Sequence, residues 1–413
     1  MTRTFSRRGF NALIAGAASA ALPQLARAEE PDFSVAVPND PQYLAALCGN
    51  GYSAMMRWIV DNQAATVDGS PLNIKAVVSA GDCVNNANTA EADYAAQAWS
   101  ILDSHGIPWA SAPGNHDMVG GSDLSGRVLG ANFQARGFFS PDVRSSKSCW
   151  GSALPGGGGY CDWGGSYDTS GANTWIRLEV GANRQLYIFL EFHPRAVVLD
   201  WAKGIHDAYP GHEVIVVTHS YLSGVGEQVE RSTGSNLYSY SAGPDTYHQG
   251  PSPASTSGVE MWSGWFRTWA RLRMIVCGHW VWKSWHTNTA GADTGWVWKE
   301  EPIPSESSRA QTVHQLFANV QEADNTYDYA TGGTAANPCV AGVESAHLFI
   351  LKFCPSVGKL RFYGLSTHTG HWTGQKGTYT SSSPVRLFDV DWPAELEHAF
   401  PFPHRPPTRK RGR

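Results

Sequence analysis

Ile107-Pro-Trp-Ala-Ser-Ala112 runs straight into Pro113-Gly114-Asn115-His116-Asp117. A short apolar run closed by this pentapeptide decides the reading of the fold. It looks like a strand, then a turn glycine, then amide oxygen, imidazole nitrogen and carboxylate oxygen in succession. Four other apolar runs end the same way. Phe33–Val37 leads to Asn39-Asp40-Pro41-Gln42, and Ile74–Val78 to Gly81-Asp82. Val214–Val217 leads to Thr218-His219, and Met274–Cys277 to Gly278-His279.

Between these runs the apolar spacing turns helical. Met55, Met56, Ile59 and Val60 share one face over 53–62, and Tyr94, Ala98, Ile101 and Leu102 one face over 90–105. Segments 194–209 and 259–272 read alike. Strands alternating with helices predict right-handed crossovers and largely parallel pairing. Sites in such sheets form beyond the carboxyl ends of the strands. Asp40, Gln42, Asp82, Asn115, His116, Asp117, His219 and His279 are therefore expected to converge.

Carboxylate oxygen, amide oxygen and imidazole nitrogen together suit Zn, Mn or Fe. Asp82 has two oxygens with which to bridge a pair of ions, and two ions can clamp a phosphoryl group. A Gly-Asp after a strand is ordinarily a turn, and a lone histidine is ordinarily a satisfied core or surface residue. The whole set in this order, each at a strand end, carries the metal-site reading.

The order Asp-x-Gln, Gly-Asp, Gly-Asn-His-Asp, Thr-His, Gly-His resembles the calcineurin-like metallophosphoesterase family. Asp40-Pro41-Gln42-Tyr43 is similar to the first motif of its exported bacterial members. Trp58–Asn62, Leu190–Arg195, Thr218–Tyr221 and Val313–Gln321 agree with the resemblance, which spans roughly 33–365. It implies an α/β fold, a four-layer αββα sandwich of two mixed sheets flanked by helices. It also implies two divalent ions and hydrolysis of phosphate mono- or diesters. By the resemblance Asp40 and Asp82 serve the first ion, where Gln42 can still offer an amide oxygen, and Asp82, Asn115, His219 and His279 serve the second. A metal-bound hydroxide would attack phosphorus in line, His116 would assist the leaving group, and Asp117 would orient His116.

Two positions depart from the family pattern. Gln42 stands where many members have histidine, and Val281 where they have the second histidine of Gly-His-x-His. Both changes weaken the first site, which is expected to be weak, empty, or filled by a harder ion; His286 lies nearby in sequence, but an unrelated surface role is favoured over a substitute ligand. The alternative function is a weakly active or non-catalytic relative that binds a ligand such as carbohydrate through an aromatic rim. Trp280 and Trp282 follow His279 and are the candidate substrate-binding walls. Trp262, Trp265 and Trp269 read as helix packing.

The domain is expected over 29–392, with long insertions near 118–174 and 221–256 leaving ligand-bearing strand ends. Gly342–Leu365 alternates like antiparallel strands and is expected to complete the second sheet. Residues 1–28 read as a twin-arginine signal peptide: Arg7-Arg8, a mild apolar run, then Ala26-Arg27-Ala28. The expected location is periplasmic or secreted, with the twin-arginine machinery as partner. No stretch is long and apolar enough to span a bilayer. Residues 393–413 form a Pro-rich, basic tail. The chain has 413 residues, 16% of them charged, and a net charge of -5. Removing the basic leader leaves an acidic body, which excludes a nucleic-acid scaffold. Of seven cysteines, Cys149 and Cys161 flank a Gly-rich loop and form a candidate pair, while Cys83 and Cys277 read as inert buried thiols.

Overall fold

The computed structural model describes residues 31–118, 129, 132–133, 136–224, 226–230, 255–279, 296–303, 311–319, 327–328, 333–334, 346–367, 372, 383–384 and 386–392. The leader, Trp280, Val281, Trp282, His286 and the tail beyond Trp392 lie outside the described residues. Among these described residues, no helix is long and apolar enough to cross a membrane, which says nothing of a β-barrel.

In chain order the strands are β1 (Phe33–Val37), β2 (Thr66–Val67), β3 (Ser70–Pro71), β4 (Ile74–Ser79), β5 (Trp109–Ser111), β6 (Gly159–Ser166), β7 (Thr174–Val180), β8 (Asn183–Leu190) and β9 (Glu213–Thr218). Then come β10 (Leu272–Cys277), β11 (Trp296–Ile303), β12 (Gln311–Ala318), β13 (Tyr327–Asp328), β14 (Gly333–Thr334), β15 (His347–Cys354), β16 (Lys359–Ser366) and β17 (Phe388–Asp391). One sheet has the order β17-β16-β15-β1-β4-β5 and the other β11-β12-β10-β9-β8-β7-β6. Each is mixed. β1, β4 and β5 are parallel, as are β8, β9, β10 and β12, while the flanking pairs are antiparallel.

The period of two in the strands sorts side chains into separate cores. Val35, Val37, Ala76 and Val78 face Ile176, Tyr187, Phe189, Ile215, Val217, Met274 and Val276 between the sheets. Their neighbours Ala36, Ile74 and Val77 turn outward onto Tyr52, Met55, Met56, Ile59 and Trp99. On the other sheet Leu186, Ile188, Val214, Val216 and Ile275 pack against Val198, Leu199, Ala202 and Trp269. Sheets covered on both faces make the strands nearly all apolar, the reason the runs stand out in the sequence. The result is the expected four-layer αββα sandwich.

The helices form where the expected faces lie, with three corrections. The helix Gly49–Asp61 buries Met55, Met56 and Ile59. The helix Thr89–Ser104 starts at Asn88, whose side chain accepts from Glu91 N at 3.0 Å. It turns Ala92, Ala95, Ala98, Trp99 and Leu102 inward, whereas Tyr94 is exposed. Segment 259–272 is not one helix. A capping box of Ser257 and Glu260 opens the helix Gly258–Gly264, a 3-10 turn follows at Phe266–Thr268, and β10 begins at Leu272. Segment 342–365 supplies β15 and β16, but β15 pairs with β1. These strands thus join the sheet that already holds β1, β4 and β5.

The 118–174 segment contributes more than loop. It contains the helix Pro141–Ser145 and β6 on the edge of the seven-stranded sheet. Its Gly-rich turn does not border the ligand-bearing ends. The carbonyls of Pro155 and Gly157 accept from the ammonium of buried Lys75, at the amino end of β4. Gly156, Gly157 and Gly158 have φ of 74, 74 and 80°, a left-handed run that wraps carbonyls around one cation. Cys149 and Cys161 are both free and buried, so the expected pair is not formed. Cys83 and Cys277 are likewise buried, and burial pushes both thiols up, Cys277 to about 12. They fit the inert reading.

Candidate metal centre

The five strands with polar ends divide between the two sheets: β1, β4 and β5 in one, β9 and β10 in the other. Their carboxyl ends meet at one edge of the sandwich. Asn39 ties the sheets together there. Its amide nitrogen donates to the carbonyls of Cys277 (3.3 Å) and Ala318 (3.1 Å), and its oxygen accepts from Ala80 N at 2.8 Å.

His219 stands at the middle. Its Nδ1 donates to the Ala80 carbonyl at 2.9 Å, which fixes the ring and turns Nε2 inward. Nε2 lies 3.1 Å from Asn115 Oδ1, 3.2 Å from Asp82 Oδ2 and 3.2 Å from His279 Nδ1. The ligand atoms of Asp82, His219 and His279 all fall within 4.8 Å of one another, and all three residues are buried. Bonds of roughly 2.0–2.2 Å to one ion hold its ligand atoms about 3–3.5 Å apart. The donor set therefore fits a divalent cation. Four electron-pair donors crowd one buried point, an arrangement that demands a positive centre.

The ionisation of the cluster says the same. Burial disfavours a charged His219, but Asp82 and Asp40 outweigh it and push the ring up to about 9. Asp82 is held well below the usual carboxylate range: burial works against this, and His219 and His116 prevail. His279 is pushed down by burial and by the charge on His219. Burial lifts Asp40 to about 7, His219 pulling the other way and Asp82 adding to the rise.

The backbone is bent to make this convergence. Asp40, Asp82 and His279 have φ of 52, 54 and 76°, left-handed values that side chains with a Cβ rarely adopt. The motif glycines admit the carboxylates. A Cβ on Gly114 would sit 2.0 Å from Asp82 Oδ1, and one on Gly278 would sit 2.0 Å from Asp40 Oδ2. The Gly before Asn115 and the Gly before His279 are thus there for close approach.

His116 stands at the rim, partly exposed, and its N–H donates to Asp82 Oδ1 at 3.0 Å. The ring is oriented by the Asn85 carbonyl, which accepts from Nδ1 at 2.6 Å. This corrects the role expected of Asp117. Its carboxylate accepts from Gly114 N (2.8 Å) and Val84 N (3.2 Å), bracing two ligand loops instead of the imidazole. Burial and the nearby Asp82 push Asp117 up to about 8. The orientation of His116 traces back to a helix cap: Glu91 accepts from the N–H groups of Asn85 and Asn86, both at 2.7 Å, and so fixes the loop that presents the Asn85 carbonyl.

Asp40 and Gln42 border the same cluster, with Asp40 Oδ1 4.0 Å from His219 Nε2. Asp40 Oδ1 accepts from His279 N at 2.9 Å, and Gln42 Nε2 donates to Asp82 Oδ2 at 2.9 Å. Sequence reasoning missed Asn39, Glu91 and Phe192. The Phe192 ring lies 5.6 Å from that of His219 and 5.1 Å from that of His279, with Met118 against it. Asn39 could have been found from its place beside Asp40, and Phe192 from its place in the Leu190–Arg195 stretch. Nothing local marks Glu91 as more than a cap. Trp262 and Trp265 pack partly buried on the outer core and Trp269 is fully buried in it, but only Trp262 stands on a helix, so the expected helix packing holds for that residue alone.

With the centre in view, comparison with known proteins gives its class. Residues 33–282 match the calcineurin-like phosphoesterase family. The chain belongs to that family. It is 28% identical over 198 residues to a Bacillus subtilis (strain 168) protein called uncharacterized protein YvnB, covering 46% of this chain and 13% of that one. The chain thus spans only a small part of that relative's length. Among solved structures it is similar to purple acid phosphatase PPD1 from yellow lupin (Lupinus luteus) seeds, at 10% identity and a TM-score of 0.41, covering 83% of this chain and 53% of that one.

Proposed function

We propose that this chain is an exported, metal-dependent hydrolase of phosphate mono- or diesters. The observation that carries the reading is the cluster of Asp82, His219 and His279, with Asn115 Oδ1 3.1 Å from His219 Nε2. Family membership supports the phosphoester chemistry. The leader with Arg7-Arg8 and Ala26-Arg27-Ala28 supports export by the twin-arginine route to the periplasm or beyond.

In this reading Asp82, Asn115, His219 and His279 hold a divalent ion. Bound there, it supplies Lewis-acid charge to a phosphoryl oxygen. The chain does the rest. Asp82 remains ionised in a buried setting because positive charge faces it. Asn39 and Asp117 keep the ligand loops of both sheets in register. With the His116 Nδ1 proton committed to Asn85, Nε2 is the nitrogen left to face the ester, and in the doubly protonated ring its proton would pass to the departing alkoxide, leaving neutral imidazole with Nδ1–H in place. Phe192 and Met118 supply an apolar wall that limits water behind the histidines.

The test is reconstitution: strip the mature chain with chelator, restore Zn, Mn or Fe, and assay aryl phosphate monoesters and diesters. Metal-dependent turnover is expected. Tight metal binding with no turnover of either ester would favour the ligand-binding relative, a reading that gains its support from the amide of Gln42 at the first-ion side.

A further inference from the structure

β8 ends at Leu190, which pairs with Thr218 of β9, so Phe192 stands beside His219 just beyond the two strand ends. The residue after it has a backbone that its sequence disfavours. His193 has φ of 46°, yet it precedes Pro194, and a residue before proline is pushed toward extended backbone. Such strain persists only where the surroundings hold it. Here they do. His193 Nδ1 donates to the Thr256 carbonyl at 3.2 Å. Thr256 donates in return to the Pro194 carbonyl, from its N–H at 3.1 Å and its hydroxyl at 2.6 Å. The strained turn lays the imidazole edge-on against Phe192, with ring centroids 4.2 Å apart and planes at 65°. Phe192 in turn meets the ring of His279 at 5.1 Å and that of His219 at 5.6 Å, and those two rings are 4.9 Å apart. Phe192 is fully buried and His193 is 2% exposed, so the whole ring contact lies in the interior.

We infer that His193 is a positioning residue of the metal centre: it presses Phe192 against the imidazoles of His219 and His279 and so sets how these two rings face an ion. This rests on reading Asp82, Asn115, His219 and His279 as the ligands of a resident ion. Histidine suits the position on three counts. It is among the residue types that tolerate left-handed backbone. Its ring is flat and packs on an aromatic neighbour. Its N–H reaches the Thr256 carbonyl, which fixes the ring that does the pressing. His193 touches neither ester nor ion in this account; it acts through Phe192.

The experiment titrates the metal-free purified chain with Co, whose visible absorption reports the geometry of its ligands. His193→Asn tolerates the left-handed turn and can still donate to Thr256, but it lacks the ring. It is expected to weaken Co binding by about 10-fold or more, the scale for residues that orient metal ligands, and to shift the visible band. Phe192→Leu is expected to shift the same band. The double variant is expected to bind Co no more weakly than Phe192→Leu alone, because His193 acts through that ring. Additive losses would overturn the inference, as would wild-type affinity and band in His193→Asn. A merely structural role would lower the denaturation midpoint of the metal-free chain and leave the Co band in place, and that result would overturn it too. A wild-type chain that takes up no Co would overturn the metal-centre reading and this inference with it, whereas the other outcomes leave that reading standing.

Discussion

The sandwich has buried polar groups at both ends, and the two ends behave oppositely. At the carboxyl ends of β4, β9 and β10, Asp82, His219 and His279 bring lone pairs together. At the amino ends of β9 and β10 a charged side chain faces its opposite. Arg273 Nε is 3.5 Å from Glu213 Oε1, and its guanidinium lies over the Trp392 ring at 5.2 Å. Nearby His314 is kept neutral, pushed down to about 4 by burial and Arg273. The backbone follows the same division. Of the non-glycine residues described with positive φ, Asp40, Asp82, His193 and His279 lie at or next to the site. Asp68 and Asn73 are types that tolerate that conformation in turns, and Ala87 adopts it in the loop before the helix Thr89–Ser104. Buried charge that pairs with its opposite belongs to the scaffold. Buried acceptors gathered on a bent backbone await a ligand.

The largest effect that would break this contrast is expected at His219. Substituting His219→Ala should remove the resident ion and lower kcat by about two to three orders of magnitude, the size expected when a preorganised charge-stabilising group is lost. Elemental analysis and turnover measured on the same sample check both halves of that statement. His116→Ala should leave the ion in place and slow esters with poor leaving groups by about 100-fold or more, with a much smaller effect on nitrophenyl esters. An equal loss on both ester types would remove proton transfer from its role.

Smaller effects sharpen the contrast. Gly278→Ala pushes a methyl group into Asp40 Oδ2 and should destabilise the fold by about 1–3 kcal/mol, the usual cost of overpacking. Denaturant titration of the metal-free chain reads it. Glu91→Ala should lower the His116-dependent step by roughly tenfold, the low end for groups that orient a catalytic residue. It should spare good leaving groups, which a general loss of structure would not.

At the opposite end the expected signature is a pH slope. Burial raises Glu213 from 4.5 to about 7, against the pull of Arg273. The folded chain then holds a proton that the unfolded chain has released across that interval. By linkage, Glu213 makes stability fall as pH rises from about 4.5 to about 7. Glu213→Gln should flatten the stability profile in that window and leave metal content alone.

Much of the site was legible before the fold. Asp40, Asp82, Asn115, His219 and His279 each follow an apolar run, and strand-end geometry alone says such side chains can meet. The division of the strands between two sheets was not legible, because β15 pairs with β1 across more than three hundred residues and its own alternation says nothing of its partner. The truncated helix at Gly264 was hidden by tryptophans that fit a helical face and a 3-10 turn alike. Asp117 misled for a similar reason. A carboxylate one position after a histidine suggests a pair, but on this turn it points back to the N–H groups of Gly114 and Val84.

The most direct test is anomalous scattering from crystals of the chain grown with Zn or Mn, recorded at the metal edge. The account predicts a peak within bonding distance of Asp82, Asn115, His219 and His279 together. A peak elsewhere, or none at this cluster with the metal in excess, would contradict it.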